Sequence, residues 1–300
     1  MSPVLGFVAP ADGTMVRRLE DEGVSSFWVG GHIASVNPSP EPVVWLARLV
    51  EQTRSATVGT ATLLLPLYPP ALLAKQIADL DNASGGRVVL GIGVGGEYES
   101  DFAAVGVPLS QRGSRANESI DLLRRFWTGE PVVHHGRHFS FDGLRIHPAP
   151  AHPGGPLLVV SGRSEAAIHR AALLGDGWMP YLYSPTRYAS SVRRVTDIAG
   201  ENGRSLDGFG WYAYVMVAVD PDAAAARRGA AAFLAATYRQ DVSAMIDRIT
   251  VVGSIDDVGE RIAEFVEAGA RHLIVCPIHG DVPTMAGHLL NDVWPKLPNT

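Results

Sequence analysis

The chain has 300 residues, 46% of them hydrophobic and 19% charged, a composition typical of a globular protein with a large core. Its formal net charge is -6 and its arginines are scattered along the sequence, which argues against nucleic acid and acidic membranes as partners. The N-terminus lacks a secretory pattern, the apolar stretches are too short or too interrupted for a membrane span, and one cysteine excludes an internal disulfide, so we expect a cytoplasmic protein.

Short apolar runs alternate with segments of helical periodicity along the whole chain. The apolar runs predict strands at residues 4–8, 25–30, 57–64, 87–92, 157–160, 177–182, 211–219 and 272–276. The periodic segments predict helices at residues 12–22, 41–53, 70–83, 115–128, 164–174, 186–199, 221–237 and 256–268. Alternation of this kind predicts an α/β fold, a (β/α)8 TIM barrel that occupies residues 1–300 as one domain. A doubly wound sheet would use fewer strand–helix units.

Two segments interrupt the alternation and are predicted to be insertions. Residues 128–146 alternate apolar and polar side chains around Val132, Phe139 and Phe141, as in a small β-hairpin. Residues 147–156, HPAPAHPGGP, contain four prolines and two glycines, which cannot sustain a helix or a strand ladder. Because strand–helix units continue on both sides, we interpret this second segment as a crossover loop within one domain.

In such a barrel the reacting groups lie at the carboxyl ends of the strands, so candidate residues are expected there. After the second strand, His32 follows two glycines and can lean over a ligand with one ring nitrogen free; a loop histidine is the alternative, since no carboxylate is near it in sequence. After the third strand, the leucines at 63–65 predict an apolar wall beside a ring system.

Two strands then end in glycines. The fourth runs into GIGVGG at residues 91–96, where backbone amides without Cβ atoms in the way can approach an anion or a flat ring. This spacing is neither a dinucleotide motif nor a P-loop, and a strand that merely turns is the alternative. The fifth strand ends at Gly162, and Ser164 opens the next helix, an arrangement that binds phosphate through free amides and the helix dipole.

Three carboxylates follow the first glycine cradle. Glu97 is a candidate acid or base acting on a bound ligand, with a solvated loop charge as the alternative. Glu99 and Asp101 are interpreted as solvated loop charges. Arg112 and Arg115, shortly after them, are placed to close over an anion or to lie on the surface.

Other chemistries are poorly supported. The histidines at 134, 135 and 138 fall in the predicted hairpin without an acidic ligand nearby in sequence, so no metal site is predicted. Neither lysine, Lys75 or Lys296, follows a strand, which argues against a Schiff-base aldolase on the same architecture. Cys276 lies in an apolar run and is expected to be a buried, inert thiol, and Trp178 is expected to pack in the core.

Four segments in this order carry a resemblance: GTATLLLPLYPPALLAKQIADLDNASGGRVVLGIGVGG, QRGSRANESIDLLRRFWTGEP, SGRSEAAIHRAALLGDGW and VGSIDDVGERIAEFVEAGARHLIV. They resemble the bacterial luciferase-like oxidoreductases, in particular the branch that uses the deazaflavin coenzyme F420, and the resemblance covers nearly the whole chain. It implies a (β/α)8 barrel that holds the flavin or deazaflavin at the strand carboxyl ends. It also implies hydride transfer through C5 of the deazaflavin or N5 of FMN.

The resemblance also implies roles for individual positions. The histidine near the reactive edge of the ring matches His32, and a non-prolyl cis peptide often found after the third strand matches Ala61 and Thr62. The backbone cradle matches Val94, Gly95 and Gly96, and the phosphate loop matches Gly162, Arg163 and Ser164. An apolar or aromatic substrate pocket is expected from Phe7, Trp45, Tyr68, Tyr181, Tyr183 and His279.

Two positions depart from the family pattern. Gly31 stands where many deazaflavin enzymes have aspartate before the histidine, and Gly96 stands where the sugar-phosphate dehydrogenases have glutamate, which displaces Glu97 by one position. The second departure argues against a glucose 6-phosphate dehydrogenase.

The function expected from the sequence is therefore an F420-dependent oxidoreductase. It would transfer a hydride between the deazaflavin and a small organic substrate, with an activated C=C or an imine as the acceptor and His32 and Glu97 as the catalytic residues. An FMN-dependent monooxygenase served by a separate flavin reductase is the alternative, and a non-catalytic flavin-binding protein is a further one. We expect a homodimer, as is common in the family.

Overall fold

The apolar runs form strands close to the predicted ranges in the computed structural model, which describes residues 3–35, 38–238 and 243–298. The strands are β1 (Val4–Val8), β2 (Ser26–Val29), β3 (Thr57–Thr60), β4 (Leu63–Leu64), β5 (Val88–Gly93), β6 (Val132–His135), β7 (Ser140–Leu144), β8 (Leu157–Ser161), β9 (Gly177–Met179), β10 (Gly210–Val219), β11 (Val251–Gly253) and β12 (His272–His279). The helices are α1 (Gly13–Asp21), α2 (Pro42–Gln52), α3 (Pro70–Ser84), α4 (Glu99–Ala104), α5 (Arg112–Trp127), α6 (Glu165–Leu174), α7 (Pro185–Glu201), α8 (Ala223–Tyr238), α9 (Ile246–Ile249), α10 (Ile255–Glu267) and α11 (Val282–His288). Within those ranges no helix is both long and apolar enough to cross a membrane.

The strands close into a parallel barrel. Neighbours pair in the order β1, β2, β3, β5, β8, β9, β10 and β12, and β12 pairs with β1 to complete the ring. Helices cover the outside because each crossover between parallel strands must return along that face. The predicted (β/α)8 barrel is confirmed.

Aromatic rings fill the barrel interior. The Trp28 ring lies edge-on to Tyr212 and to His272, with centroids 5.5 and 5.4 Å apart. Glycine makes room for this indole on the next strand, since a Cβ on Gly59 would come within 2.4 Å of the ring. The centre of the barrel is therefore a packed core, and ligands have access only at its ends.

Several element ends differ from the predicted ones for local reasons. The third predicted strand is interrupted after Thr60 by a cis peptide between Ala61 and Thr62, the position that the resemblance implies. Strand β9 stops at Met179, because Pro180 has no N–H to donate and Leu182 has a left-handed φ of 52°. The sequence did not predict β11, α4, α9 or α11, which are too short to show a clear period.

The two insertions pack against the outside of the barrel. The predicted hairpin is confirmed as the antiparallel pair β6–β7, and Glu118 of α5 accepts the backbone N–H groups of His138 and Phe139 at its tip. The crossover loop is tied to the end of α3, where the buried Asp81 accepts the backbone N–H of His152 at 2.9 Å. As predicted, Trp178 is fully buried.

Candidate functional site

A cavity of about 370 Å³ opens at the carboxyl ends of the barrel strands. Its lining residues lie at the ends of β1, β2, β3, β4, β5, β8 and β9, in the segments that follow these strands, or within β10. The predicted site residues that line the cavity are His32, Ala61, Thr62, Val94, Gly95, Glu97 and Gly162. The remaining three, Gly96, Arg163 and Ser164, are their neighbours in sequence and do not line the cavity.

His32 lies on the cavity wall and is held by a carboxylate. Its Nδ1 atom is 2.8 Å from Oδ2 of Asp101, although 69 residues separate the two. The other oxygen of Asp101 accepts the backbone N–H groups of Ile33 and Ala34, each at 2.8 Å. Because a carboxylate only accepts hydrogen bonds, Nδ1 carries the proton, and Nε2 is the ring nitrogen left for a ligand.

The interpretation of Asp101 as a solvated loop charge is wrong, because only 1% of this residue is exposed. Asp101 lies on the short helix α4, whose Phe102 is buried with Leu64 and Leu67 beside the cavity. Packing of that aromatic ring holds α4 against the strand ends and turns the preceding carboxylate toward His32. The sequence carries no local signal for this contact, because it depends on how the packing of Phe102 places α4.

Gly31 explains why the carboxylate comes from a distant position. A Cβ at residue 31 would lie 1.8 Å from the carbonyl oxygen of Pro40, so no side chain fits there. The aspartate that the family pattern places before the histidine is thus sterically excluded in this chain. Asp101 supplies the carboxylate instead.

Glycines contribute bare backbone to part of the cavity wall. A Cβ on Gly30 would lie 2.4 Å from the carbonyl oxygen of Ala61, and one on Gly93 would lie 2.9 Å from Oγ1 of Thr62. Gly95, in the cradle that follows β5, has a left-handed φ of 65°, which a residue with a side chain adopts only under strain. The site is thus open to a flat ligand at the positions where the sequence predicts a cradle.

The predicted apolar wall and aromatic pocket are only partly present. Leu64 lines the cavity, whereas Leu63 and Leu65 are fully buried in the core. Of the six residues expected to form a substrate pocket, Tyr181 lines the cavity. The others lie elsewhere: Phe7 in the core, Tyr183 against Trp178, Trp45 under Arg48, Tyr68 on Glu41 and His279 beside Asp220.

Glu97 and Tyr181 meet across the cavity mouth. The Tyr181 hydroxyl donates to Oε1 of Glu97 at 2.6 Å, and the guanidinium of Arg163 lies 4.7 Å from the centre of the Tyr181 ring. Burial first, and the Glu97 carboxylate second, raise the pKa of Tyr181 to about 12. The pair joins the loops after β5 and β9 and keeps the phenol protonated at neutral pH.

Three arginines on the segments next to the two cradles have no carboxylate partner among the described residues. In the described ranges no carboxylate oxygen lies within 4.0 Å of Arg112, Arg163 or Arg170, a set we call the rim arginines. Arg112 lies over Gly96, and Arg170 donates to Oδ1 of Asn117 at 2.6 Å; burial lowers the pKa of Arg170. Positive charge that no carboxylate neutralises is suited to an anionic ligand.

The second cradle differs in one detail from the prediction. The Ser164 hydroxyl accepts the N–H of Ala167 and is therefore engaged as the cap of α6. Gly162 has a left-handed φ of 138°, and a Cβ there would lie 2.7 Å from that of Ala167. A phosphate bound at this turn would contact the backbone rather than the Ser164 hydroxyl.

Metal and thiol chemistry receive no support from the geometry. Among the residues that the structure describes, no group of three or more His, Cys, Asp or Glu side chains is placed to hold a metal ion. His134 of the hairpin instead contacts Oε1 of Glu118 at 2.9 Å. Burial raises the pKa of the Cys276 thiol to about 11, so it is protonated at neutral pH, as expected for an inert residue.

Comparisons with known proteins agree with this architecture. The family model described as luciferase-like monooxygenase matches residues 11–272. An uncharacterised protein of Mycobacterium tuberculosis (strain ATCC 25618 / H37Rv) is 35% identical over 181 residues, which are 57% of this chain; the match spans 62% of that protein's length. The F420-dependent glucose-6-phosphate dehydrogenase of Nakamurella multipartita is 25% identical over 286 residues, with 85% of this chain and 83% of the relative covered.

Solved structures share the fold over essentially the full length. An F420-dependent secondary alcohol dehydrogenase in complex with an F420-acetone adduct superimposes with a TM-score of 0.85 at 19% identity and 100% coverage of both chains. The oxygenating constituent of 3,6-diketocamphane monooxygenase from Pseudomonas putida, in complex with FMN, has a TM-score of 0.79 at 20% identity, with 99% of each chain covered.

Proposed function

Because the chain belongs to the luciferase-like monooxygenase family, we propose that it is an oxidoreductase that binds coenzyme F420 in the strand-end cavity. In this proposal it reduces an activated C=C or C=N bond of a small organic substrate. The observation that carries the proposal is the His32–Asp101 pair on the wall of a cavity that is also lined by glycines. A purely structural barrel has no need of such a pair at an open mouth.

The residues present fit a flat heterocycle. Gly30, Gly93 and Gly95 line the cavity without side chains, so a ring can approach the backbone closely at these positions. Leu64, Met179 and Met216 add apolar surface to the same cavity. Apolar walls with a few directed polar groups are typical of cofactor and small-molecule sites.

The rim arginines favour F420 over FMN. Coenzyme F420 carries a phosphate and a lactyl-oligoglutamate tail, whereas FMN ends at its phosphate. Three guanidinium groups without carboxylate partners beside the cradles supply more positive charge than one phosphate needs. Relatives whose names include F420-dependent activity support the same choice.

His32 is the residue proposed to act on the reacting edge. When bound, a reduced deazaflavin supplies a hydride at C5. Asp101 fixes the ring orientation of His32 and holds the proton on Nδ1, so that Nε2 presents a single, defined hydrogen-bonding role to the cavity. Glu97 lies on the same cavity and is the second catalytic candidate.

The proposal is tested by titrating the purified protein with F420 and with FMN separately and following fluorescence quenching. We expect F420 to bind more tightly, and the bound reduced form to be oxidised by one or more members of a panel of enones and imines. The variant Gly93→Ala should weaken binding, since its Cβ would lie 2.9 Å from Oγ1 of Thr62. The control Gly200→Ala adds a Cβ where nothing lies within 4 Å. Failure of F420 to bind, or of the reduced form to react with the whole panel, would contradict the proposal.

An FMN-dependent monooxygenase is the second candidate. It is favoured by the family model and by a structural neighbour that holds FMN on the same fold. Tighter binding of FMN than of F420, with oxygen uptake when reduced FMN and substrate are supplied together, would establish this candidate instead.

A further inference from the structure

Tyr181 faces the cavity opposite His32, and its partner Glu97 lies at the mouth. On the basis of the proposed function, we propose that the Tyr181 hydroxyl is the catalytic acid that protonates the substrate, and that Glu97 returns the proton to it from solvent. The substrate is then a compound with an activated double bond. One atom of that bond takes the hydride, and the other atom faces Tyr181 and takes a proton.

The strand order places the two groups on opposite walls. His32 follows β2 and Tyr181 follows β9. In one direction around the barrel the order runs β2, β3, β5, β8, β9, and in the other it runs β9, β10, β12, β1, β2. The two strands are therefore as far apart as a ring of this size allows. A ligand in the cavity lies between the histidine and the phenol.

The Tyr181–Glu97 hydrogen bond links a partly buried group to an exposed one. The hydroxyl-to-carboxylate distance is 2.6 Å, and in the described part of the chain Tyr181 is the donor found for Glu97. Glu97 belongs to the exposed residues of the mouth, whereas Tyr181 is only partly exposed. An exposed carboxylate exchanges protons with water freely, so the pair forms a short path from solvent to the cavity.

The surrounding residues fix the phenol in place. Arg163 stacks over the Tyr181 ring at 4.7 Å, and the Tyr181 backbone pairs with that of Tyr214 on β10. The next residue, Leu182, has a φ of 52°, a left-handed conformation that a leucine adopts only under strain. Strain of this kind next to a cavity residue is characteristic of functional positions, where it sets the direction of a side chain.

The proton step balances with the hydride step. One atom of the substrate double bond gains the hydride from the reduced deazaflavin, and the π electron pair moves to the other atom. That atom forms a bond to the Tyr181 proton as the phenolic O–H bond breaks. Hydronium or a buffer acid gives a proton to Glu97, leaving water or the buffer base, and Glu97 passes that proton to the phenolate, so that each turnover adds one hydride and one proton.

The test compares Tyr181→Phe, Glu97→Gln and the control Tyr183→Phe in the F420-loaded protein. Tyr183 lies two residues along the chain, but its hydroxyl contacts Ser191 at 3.1 Å and it is buried away from the cavity. We expect Tyr181→Phe to lower kcat about 100-fold, in the range of a lost general acid, with the F420 affinity unchanged. Tyr183→Phe should leave kcat within about twofold of the wild type.

The variant Glu97→Gln distinguishes a proton-transfer role of Glu97 from a role that only positions Tyr181. The amide oxygen still accepts the Tyr181 hydrogen bond, but the amide does not carry protons, so kcat should fall about 10-fold. A solvent deuterium isotope effect on oxidation of the reduced cofactor should be present in the wild type and should change in both cavity variants. Weak acids in the buffer should partly restore the rate of Tyr181→Phe, which a structural defect would not allow.

Two results overturn the inference in different ways. If Tyr181→Phe reduces the substrate as fast as the wild type and with the same solvent isotope effect, Tyr181 is not the acid and the proposed function stands. If the wild type loaded with reduced F420 reduces no enone or imine, the proposed function fails, and the role of Tyr181 fails with it.

Discussion

At the scale of single residues, the site depends on a contact between Asp101 and His32. Oδ2 of Asp101 reaches Nδ1 of the ring, while Oδ1 accepts two backbone N–H groups of the loop that carries the histidine. One buried carboxylate thus sets the loop conformation, the ring orientation and the tautomer together. Loss of the loop conformation, the ring orientation or the tautomer would change the position or the hydrogen-bonding role of Nε2.

The variant Asp101→Asn tests this arrangement. The amide oxygen can still accept the backbone N–H groups, but its NH₂ group can donate to Nδ1 and so favours the opposite tautomer of His32. We expect kcat to fall about 100-fold with little change in the melting temperature. Steady-state kinetics with thermal unfolding of the same samples measures both, and unchanged turnover would show that His32 needs no carboxylate.

A second residue prediction concerns the glycine before the histidine. In Gly31→Ala the new Cβ would lie 1.8 Å from the Pro40 carbonyl oxygen, so the backbone must move. A forced shift of this kind costs about 1–3 kcal/mol, and we expect a lower melting temperature and weaker cofactor binding.

Gly200→Ala is the matched control for that variant, because it lies within α7 with nothing within 4 Å of the added Cβ. It should be neutral or stabilising by up to about 1 kcal/mol. Thermal unfolding compares the melting temperatures of the two variants, and F420 titration compares their affinities for the cofactor. Equal behaviour of the two alanine variants would mean that the loop has more room than the contact implies.

The site was predictable from the sequence only where its signal is local. Glycines at strand ends mark backbone that a ligand can approach, and this local signal predicts the positions around Gly95 and Gly162, which line the cavity. The partner of His32 was missed because pairing across 69 residues depends on how Phe102 seats α4, which no local pattern shows. Phe7 was assigned to the pocket wrongly, because strand alternation does not say which face meets the interior at the barrel mouth.

At the scale of elements, the alternation of strands and helices specified the barrel because each unit carries its own period and its own end signals. Pro42, Pro70 and Pro185 begin helices at their first positions, where a missing N–H costs nothing. The sequence predicts the ends of strands less accurately than the starts of helices. Strand β9 stops at Met179 rather than at residue 182, since the chain turns at Leu182. Tertiary contacts, and not the apolar run itself, set that boundary.

The buried His272, where β2, β10 and β12 meet, predicts how the stability of the barrel depends on pH. His272 stacks on Tyr212 at 4.7 Å and contacts Oγ of Ser26 at 2.7 Å, and burial lowers its pKa to about 3. The native state keeps the ring neutral, whereas the unfolded chain binds a proton below about pH 6.5. This part of the free energy of unfolding is therefore complete above pH 6.5 and is lost as the pH falls toward 3.

Urea unfolding at pH 7.5, 6.5 and 5.5 measures the effect. We expect the wild type to lose about 1.4 kcal/mol of stability for each pH unit below 6.5 from this group alone. His272→Gln should flatten that slope, while His288→Gln should not, because His288 is an exposed residue of α11 that contacts Asp292. Parallel slopes for all three proteins would show that the ring is protonated in the native barrel.

At the scale of the whole molecule, charge is distributed unevenly. The chain carries a net charge of -6, yet the rim arginines meet no carboxylate within 4.0 Å in the described ranges. Of the other arginines in these ranges, nine pair with a carboxylate, as Arg18 does with Glu22 on α1, and ten do not, so the rim arginines are distinguished by their place beside the cradles. Local positive charge on an acidic protein directs an anionic ligand to one edge of the barrel.

Binding of the anionic tail should therefore stabilise the whole barrel in a salt-dependent way. F420 at 100 times its Kd adds about 2.7 kcal/mol to the free energy of unfolding, which raises the melting temperature by about 5 °C in a chain of this size. A deazaflavin that lacks the phosphate and tail should give a smaller rise at equal concentration. Raising the salt to 0.5 M should reduce the F420 effect far more than that of the tail-less compound, because exposed charges are screened.

Arg112→Gln tests the same charge directly, with Arg18→Gln as its control on the exposed face of α1. The first variant should lose part of the F420-induced rise and part of its salt dependence, since Arg112 lies over the Gly96 cradle, and the second should lose neither. Differential scanning fluorimetry across the salt series measures the F420-induced rise in melting temperature and its salt dependence for each of the two variants. A rise in melting temperature that is equal for F420 and the tail-less deazaflavin at every salt concentration would assign the rim arginines to folding alone, and FMN would then fit the site as well as F420.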